Sequence, residues 1–172
     1  MTWTTEAPTG AGPRKEGPAP ADAAIALEAP GQPDVIALLA EADAYLHALY
    51  PAESNHILDI HALERPGIDF FVARRGGAVL GCCALVPAAD GSAEIKRMFV
   101  APSARGRRLG RQLLERLESR ALRRGIATLR LETGIYQPEA LSLYRRSGYR
   151  DIPPFGDYGP DPLSVFMEKT LS

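Results

Sequence analysis

The chain has 172 residues, 45% hydrophobic and 24% charged, with a formal net charge of −1. That length and balance suit one soluble globular domain with a substantial core. They give no overall charge reason for a nucleic-acid or anionic-membrane partner, and no apolar run approaches the roughly 20 residues that cross a bilayer.

Residues 1–22 are rich in Pro, Gly, Thr and Ala without periodicity. They are expected to form a disordered leader that includes Trp3, ahead of a single domain over residues 23–172. Residues 23–28 are apolar and bounded by Pro30-Gly31, which predicts a first strand. Pro33 suits a helix start, and Val35, Leu38, Leu39, Ala42, Tyr45, Leu46 and Leu49 follow at helical spacing until Pro51. Residues 51–63 read as a loop or short helix, polar enough to line a pocket. Residues 69–74 predict a strand, Gly76-Gly77 a hairpin turn, and residues 78–86 the returning strand. Asp90-Gly91 turns the chain into a third antiparallel strand over residues 92–100.

Cys82 and Cys83 are adjacent in a strand and point to opposite faces, so they cannot easily bridge each other. Two cysteines cannot complete a four-ligand zinc site, and no metal is expected. With no signal peptide visible, the chain reads as cytoplasmic.

An amphipathic helix is expected from about Arg108 to Arg124, with Leu109, Leu113, Leu117 and Ala121 on one face and Leu114 and Leu122 beside it. Gly125 ends it. Residues 127–132 predict a strand, residues 138–148 a helix with Ala140, Leu141 and Tyr144 on one face, and residues 149–152 and 163–169 the last strands. Strands first, then β-α-β-α-β-loop-β, predict an α/β (α+β) fold. Its sheet is mixed, mostly antiparallel and central, of six to seven strands flanked by about four helices.

Charge is uneven along this order. Residues 96–150 hold fourteen Lys or Arg and four Asp or Glu, and both flanks are acidic. The basic excess centres on Arg105-Gly106-Arg107-Arg108-Leu109-Gly110, between a strand and a helix start. Backbone N–H groups in a first helical turn lack internal partners, and the helix dipole favours an anion there. Three arginines beside one helix N-terminus oppose that dipole unless an anion joins them. A phosphate-bearing ligand is the expected occupant.

The segment EIKRMFVAPSARGRRLGRQLLERL resembles the acetyl-coenzyme A motif of the GNAT N-acetyltransferase superfamily, whose loop reads Gln/Arg-x-x-Gly-x-Gly/Ala. Arg105 and Gly110 match its ends, and Arg108 stands in place of its middle glycine. The later QPEALSLYRRSGY resembles the family's helix ending in Tyr-x-x-x-Gly-aromatic. The resemblance implies that Met98 and Val100 hold the pantetheine arm and thioester through backbone groups, with Phe99 between them. It implies a pyrophosphate on residues 105–110 (Arg105, Gly106, Arg107, Arg108, Leu109 and Gly110) with Arg111 just inside the helix. It also implies a coenzyme contact from Gln137.

Amine acetylation needs a base for the ammonium proton and an acid for the leaving thiolate. Glu94 stands where several family members carry a general-base glutamate, on a strand face expected to be shared with Lys96 and Met98. Glu132 is its rival, and a water relay allows either. Tyr144 matches the family tyrosine that often protonates coenzyme A. Tyr50, Glu53, Ser54 and His56 fall where the family's early helices line the acceptor pocket, and Phe155 and Tyr158 are expected to close it. Glu53 would suit a cationic amine and His56 a carboxylate.

The expected activity is direct acetyl transfer from acetyl-CoA, as co-substrate, to the primary amine of a small-molecule or amino-acid-like acceptor. The rivals are protein lysine or N-terminal acetylation, a nucleic-acid-binding module using the basic helix, and a catalytically silent coenzyme sensor. No nucleic-acid or membrane partner is expected, and a homodimer is left open.

Overall fold

A computed structural model of the chain describes residues 22–172, so the expected leader, Trp3 included, lies outside the described residues apart from Asp22. Strand β1 (Ala24–Leu27) leads into helix α1 (Pro33–Leu49), a 3-10 turn (Ala52–Ser54) and helix α2 (Ile60–Leu63). Strands β2 (Asp69–Arg75), β3 (Ala78–Pro87) and β4 (Ala93–Val100) follow, then a 3-10 turn (Pro102–Ala104) and helix α3 (Leu109–Arg123). Strand β5 (Thr128–Gly134), helix α4 (Pro138–Arg146), and strands β6 (Arg150–Ile152) and β7 (Ser164–Thr170) complete the order.

The seven strands form one sheet in the order β1-β2-β3-β4-β5-β7-β6. Only β4 and β5 run parallel, because α3 carries the chain back across the sheet between them. The expected mixed, mostly antiparallel sheet with four helices is what the chain forms.

Each face of the sheet has its own core. Val35, Leu38 and Leu39 of α1 pack with Leu63, Phe70, Val72, Cys82 and Ala84 on one face. Leu109, Leu113, Leu114, Leu117 and Ala121 of α3, with Tyr144 of α4, pack with Phe71, Cys83, Ile95, Leu129 and Leu131 on the other. Period-2 alternation therefore sends Cys82 and Cys83 to opposite cores, both as free thiols. Leu122 departs from expectation: it is 45% exposed, because the apolar stripe of α3 is narrower than its leucine content suggests.

Two features of β4 position everything that follows. Its ladder with β5 pairs only Ala93 with Leu129, Glu94 with Arg130 and Ile95 with Leu131. Beyond Ile95 the two strands separate. On its other side β4 pairs with β3, and the register shifts between Cys82 and Ala84, opposite Arg97. Arg97 has φ 56, a left-handed conformation costly for a non-glycine residue. Its guanidinium is anchored by an ion pair to Asp43 and a bond to the Leu39 carbonyl, both on α1. Its Nε is a buried donor without a partner. The bulge thus bends β4 away from β5 and ties the bend to α1.

Candidate active site

Where β4 and β5 part, a cleft passes through the sheet and opens on both faces. Its floor carries Glu94, Lys96, Met98, Phe99, Glu132 and Thr133. About 150 Å³ of it is open to water, roughly ten times what one molecule requires. A water relay between acceptor and carboxylate therefore has room.

On the α1 face lie the carboxylates. Glu94 accepts a hydrogen bond from the Tyr158 hydroxyl and pairs with Lys96 at 3.2 Å. Lys96 Nζ also donates to the Tyr158 hydroxyl at 2.6 Å and to the His56 carbonyl at 3.3 Å. One ammonium thus joins β4, the segment after α1 and the loop before β7. Tyr158 packs edge-on against His56 and against Phe155, with centroids 5.1 Å apart in each case. Burial, followed by the Glu94 carboxylate, pushes its hydroxyl pKa well above the ordinary phenol value.

Glu132 sits one step beyond the last β4–β5 pair. It accepts from Ser164 Oγ at 2.7 Å, and no ion pair reaches it among the described residues. Burial is the largest influence on its carboxyl and raises its pKa above the ordinary value. The Ser164 hydrogen bond, His56 and Lys96 oppose that rise. The two carboxylates therefore differ: Glu94 is committed to Lys96 and Tyr158, and Glu132 is desolvated, with no ion pair among the described residues and with His56 and Lys96 acting on it only at longer range.

The bulge corrects one expectation. Met98 does not share a face with Glu94 and Lys96. The extra residue at Arg97 reverses the alternation, so Met98 and Val100 pack against the α3 core and Phe99 faces α1. Strict period-2 counting cannot see this, because nothing in Lys96-Arg97-Met98 marks a bulge that a glycine would have marked.

On the α3 face, the basic turn leads into the helix. Arg108 is the residue before α3, with φ 59 and ψ 16, and no side chain caps the helix. The helix therefore starts at Leu109, one residue later than expected, and Arg108 is left-handed rather than helical. The first helical bond runs from the Gln112 N–H to the Arg108 carbonyl, so earlier N–H groups have no helical acceptor. Gly106 is also left-handed, with φ 77. Gly110 lets α3 approach its neighbours: a Cβ there would lie 3.3 Å from Leu143 and 3.8 Å from Val100.

The side chains of this turn divide. Leu109 is buried in the core. Arg105 turns back, its guanidinium over the rings of Tyr45 and Phe99 at 5.5 and 5.9 Å and its Nε donating to the Val100 carbonyl. Arg111 pairs with Glu115 along the helix. Further along, Arg120 and Arg124 both pair with Asp69. Among the described residues, that leaves Arg107 and Arg108 as cations of the turn that neither pair nor stack.

Replacing Arg108 with glycine tests the conformation. A left-handed non-glycine costs about 1–2 kcal/mol, and glycine returns about 0.4–1 through the unfolded chain. Arg108→Gly should therefore raise Tm by about 1–4 °C in thermal denaturation. A lower Tm would mean that Arg108 is not held left-handed.

Tyr144 lines the cleft from α4, with its ring 5.7 Å from Tyr149. Its pKa is pushed well above the ordinary phenol value by burial and then by Cys83. Gln137, the residue before α4, accepts the Gly134 N–H through Oε1 at 3.2 Å and lines the same wall. Tyr50 is buried. Its hydroxyl lies over Gly134, where even a Cβ would collide, and accepts the Tyr136 N–H at 3.0 Å. Tyr50, Ser54 and His56 line the cleft, but Glu53 does not; it is exposed on the 3-10 turn. That turn directs Ser54 inward and Glu53 outward. Lys96, Arg97 and Ser164 were not singled out by sequence reasoning, and only the register of β4, β5 and β7 shows what they touch.

The cleft thus lies at the splay of two parallel strands, with a basic turn at a helix start on one face and two half-buried carboxylates on the other. The chain belongs to the acetyltransferase (GNAT) family, whose model matches residues 35–149. A protein of Azospirillum brasilense named IAA acetyltransferase is 55% identical over 148 residues, 86% of this chain and 97% of that one. The solved structure of an acyl-CoA N-acyltransferase from Klebsiella pneumoniae is 40% identical. It has a TM-score of 0.74 and covers 87% of this chain and 98% of its own. A Bacillus subtilis acetyltransferase in complex with CoA shares the fold at 21% identity and a TM-score of 0.67, over 88% of this chain and 100% of its own. The chain is thus a GNAT-type N-acetyltransferase. No helix among the described residues is long and apolar enough to cross a membrane.

Proposed function

We propose that the chain transfers the acetyl group of acetyl-CoA directly to the primary amine of a small molecule. The carrying observation is the splay after Ile95 and Leu131, which sets a free anion-binding turn and a desolvated Glu132 on opposite faces of one cleft. The turn fits the coenzyme: unpaired N–H groups and the unpartnered Arg107 and Arg108 suit a pyrophosphate. The Bacillus subtilis neighbour with CoA supports the same fit. Met98, Phe99 and Gln137 line the cleft between that turn and the carboxylates, and Val100 packs beside them on the α3 core. Acetyl-CoA supplies the activated acetyl thioester.

Glu132 is the base. The acceptor ammonium gives one proton to Glu132, directly or through water. The N–C bond forms as the C–S bond breaks. Tyr144 gives its proton to the leaving thiolate, and the nitrogen loses its second proton, which returns through cleft water to the Tyr144 oxygen, so that one amide, one thiol and one proton on Glu132 result. Glu94 holds Lys96 and Tyr158, tying β4 to the loop before β7, although neither Tyr158 nor Phe155 is among the residues that line the cleft. The small open volume of the cleft favours a small acceptor over an extended peptide, and the pairing of Arg120 and Arg124 with Asp69 takes two basic residues from any nucleic-acid face.

Acetyl-CoA at a hundred times its Kd should raise stability by about 2.7 kcal/mol, a Tm increase of about 5–10 °C. No shift at saturating coenzyme would remove this reading.

A further inference from the structure

We propose that the acceptor is a primary amine with an apolar, preferably aromatic body and no carboxylate, so that free amino acids are poor substrates. The inference rests on the amine-acetylation reading and concerns the α1 face of the same cleft.

The wall there is built from Tyr45, Leu46, Tyr50, Ile57, Leu58 and Phe99. All but Tyr50 are only half-buried, so part of each apolar surface is still open to be covered. Three of the six are aromatic; Tyr50 stacks on Tyr136 and Arg105 lies over Tyr45 and Phe99, so a ligand ring meets the ring edges and faces these partners leave open. A body laid on this wall leaves its amine at Glu132, which, unlike Glu94, has no ion pair among the described residues.

A carboxylate beside that amine finds no unengaged Lys or Arg among the described residues that line the cleft. Lys96 and Arg97 are the two there, and Arg105, outside the lining, is engaged with the Tyr45 and Phe99 rings and the Val100 carbonyl. Lys96 is taken by Glu94, the Tyr158 hydroxyl and the His56 carbonyl. Arg97 is taken by Asp43 and the Leu39 carbonyl, and its side chain is only 6% exposed. His56 holds the exposed rim, with its ring edge against Tyr158. An acceptor carboxylate would be desolvated beside Glu94 and Glu132 with no unpaired Lys or Arg among the described lining residues to offset it, which is costly on both counts. An ammonium alone meets the opposite situation.

The test compares thiol release by the wild-type enzyme with 2-phenylethylamine, phenylalanine, phenylalanine amide and ethanolamine. The expected kcat/KM for 2-phenylethylamine is at least about tenfold above that for phenylalanine or ethanolamine, the scale on which a pocket rejects a mismatched group. Phenylalanine amide, which keeps the bulk and removes the charge, should recover most of the loss. Phenylalanine turned over as fast as the amine would show that Lys96 leaves its partners to bind it, and overturns the inference while amine acetylation stands. Ethanolamine turned over as fast overturns the apolar body. Thiol release from none of the four, with acetyl-CoA raising Tm, overturns both this inference and the amine-acetylation reading.

Discussion

Glu132→Gln should lower kcat by about 10²–10⁴-fold at neutral pH, the range for losing a positioned general base, with the Kd for acetyl-CoA essentially unchanged. Gln keeps the volume and still accepts the Ser164 hydroxyl, so the loss reads chemistry rather than packing. The wild-type rate should fall as pH drops through the raised pKa of Glu132, because the base must be ionised, and the variant should lose that limb. Stability should move the other way. Folding raises this pKa, so the folded state holds the proton to higher pH than the unfolded chain does. The contribution of Glu132 to stability is therefore greatest at low pH and is lost as pH rises through the folded value. Activity and this part of stability thus have opposite pH slopes, a signature that a surface carboxylate cannot give. Glu94→Gln is the control. It frees Lys96 and loosens Tyr158, so it should act more on the KM of the acceptor than on the pH limb. A flat pH profile in Glu94→Gln with a normal one in Glu132→Gln would reverse the assignment. The measurement is steady-state thiol release across pH for both variants.

The sequence shows the periodic elements plainly and hides what depends on register. The leucine spacing of α3, the Pro33 and Pro138 helix starts and the alternation of β2 to β4 each follow from local patterning, and the structure keeps them within one or two residues. The basic turn was legible because its charge is anomalous at a helix N-terminus. Its backbone was not: Arg108 occupies a left-handed position that glycine would have announced. The same holds for Arg97. Two non-glycine residues with positive φ lie on either side of the end of β4, and neither leaves a mark in composition. The pairing of Glu132 with Ser164 spans 32 positions and that of Glu94 with Tyr158 spans 64. Such contacts require the cross-strand register of β5 on β7 and the path of the loop before β7. A sequence that offers Glu94 and Glu132 as equal candidates cannot rank them, because the ranking comes from which one received the cation.

Tyr144→Phe should lower kcat by about 10²-fold, the lower end for losing a general acid, with coenzyme affinity kept and Tm unchanged or slightly higher. The ring is core: it is 5% exposed and packs on Tyr149, and Phe preserves that contact. The hydroxyl is different, since it makes no hydrogen bond to another side chain among the described residues and belongs to a cleft-lining residue. Among the described residues the buried side-chain polar atom without a partner is Arg97 Nε, not this hydroxyl, so the Tyr144 oxygen keeps some exposure to the cleft and its removal breaks no hydrogen bond of the fold. Burial keeps the phenol protonated across the working pH range, which makes it a donor and never a base. The same burial would make it a poor acid for a solvated thiolate. A thiolate formed in the cleft, however, is desolvated by the same walls, and its basicity rises with that of the phenol. The match between acid and leaving group therefore survives burial. A variant with a full rate would return Tyr144 to the core alone, whereas a slow variant with undiminished Tm assigns the hydroxyl to the chemistry, because no structural role of the ring separates those two readings.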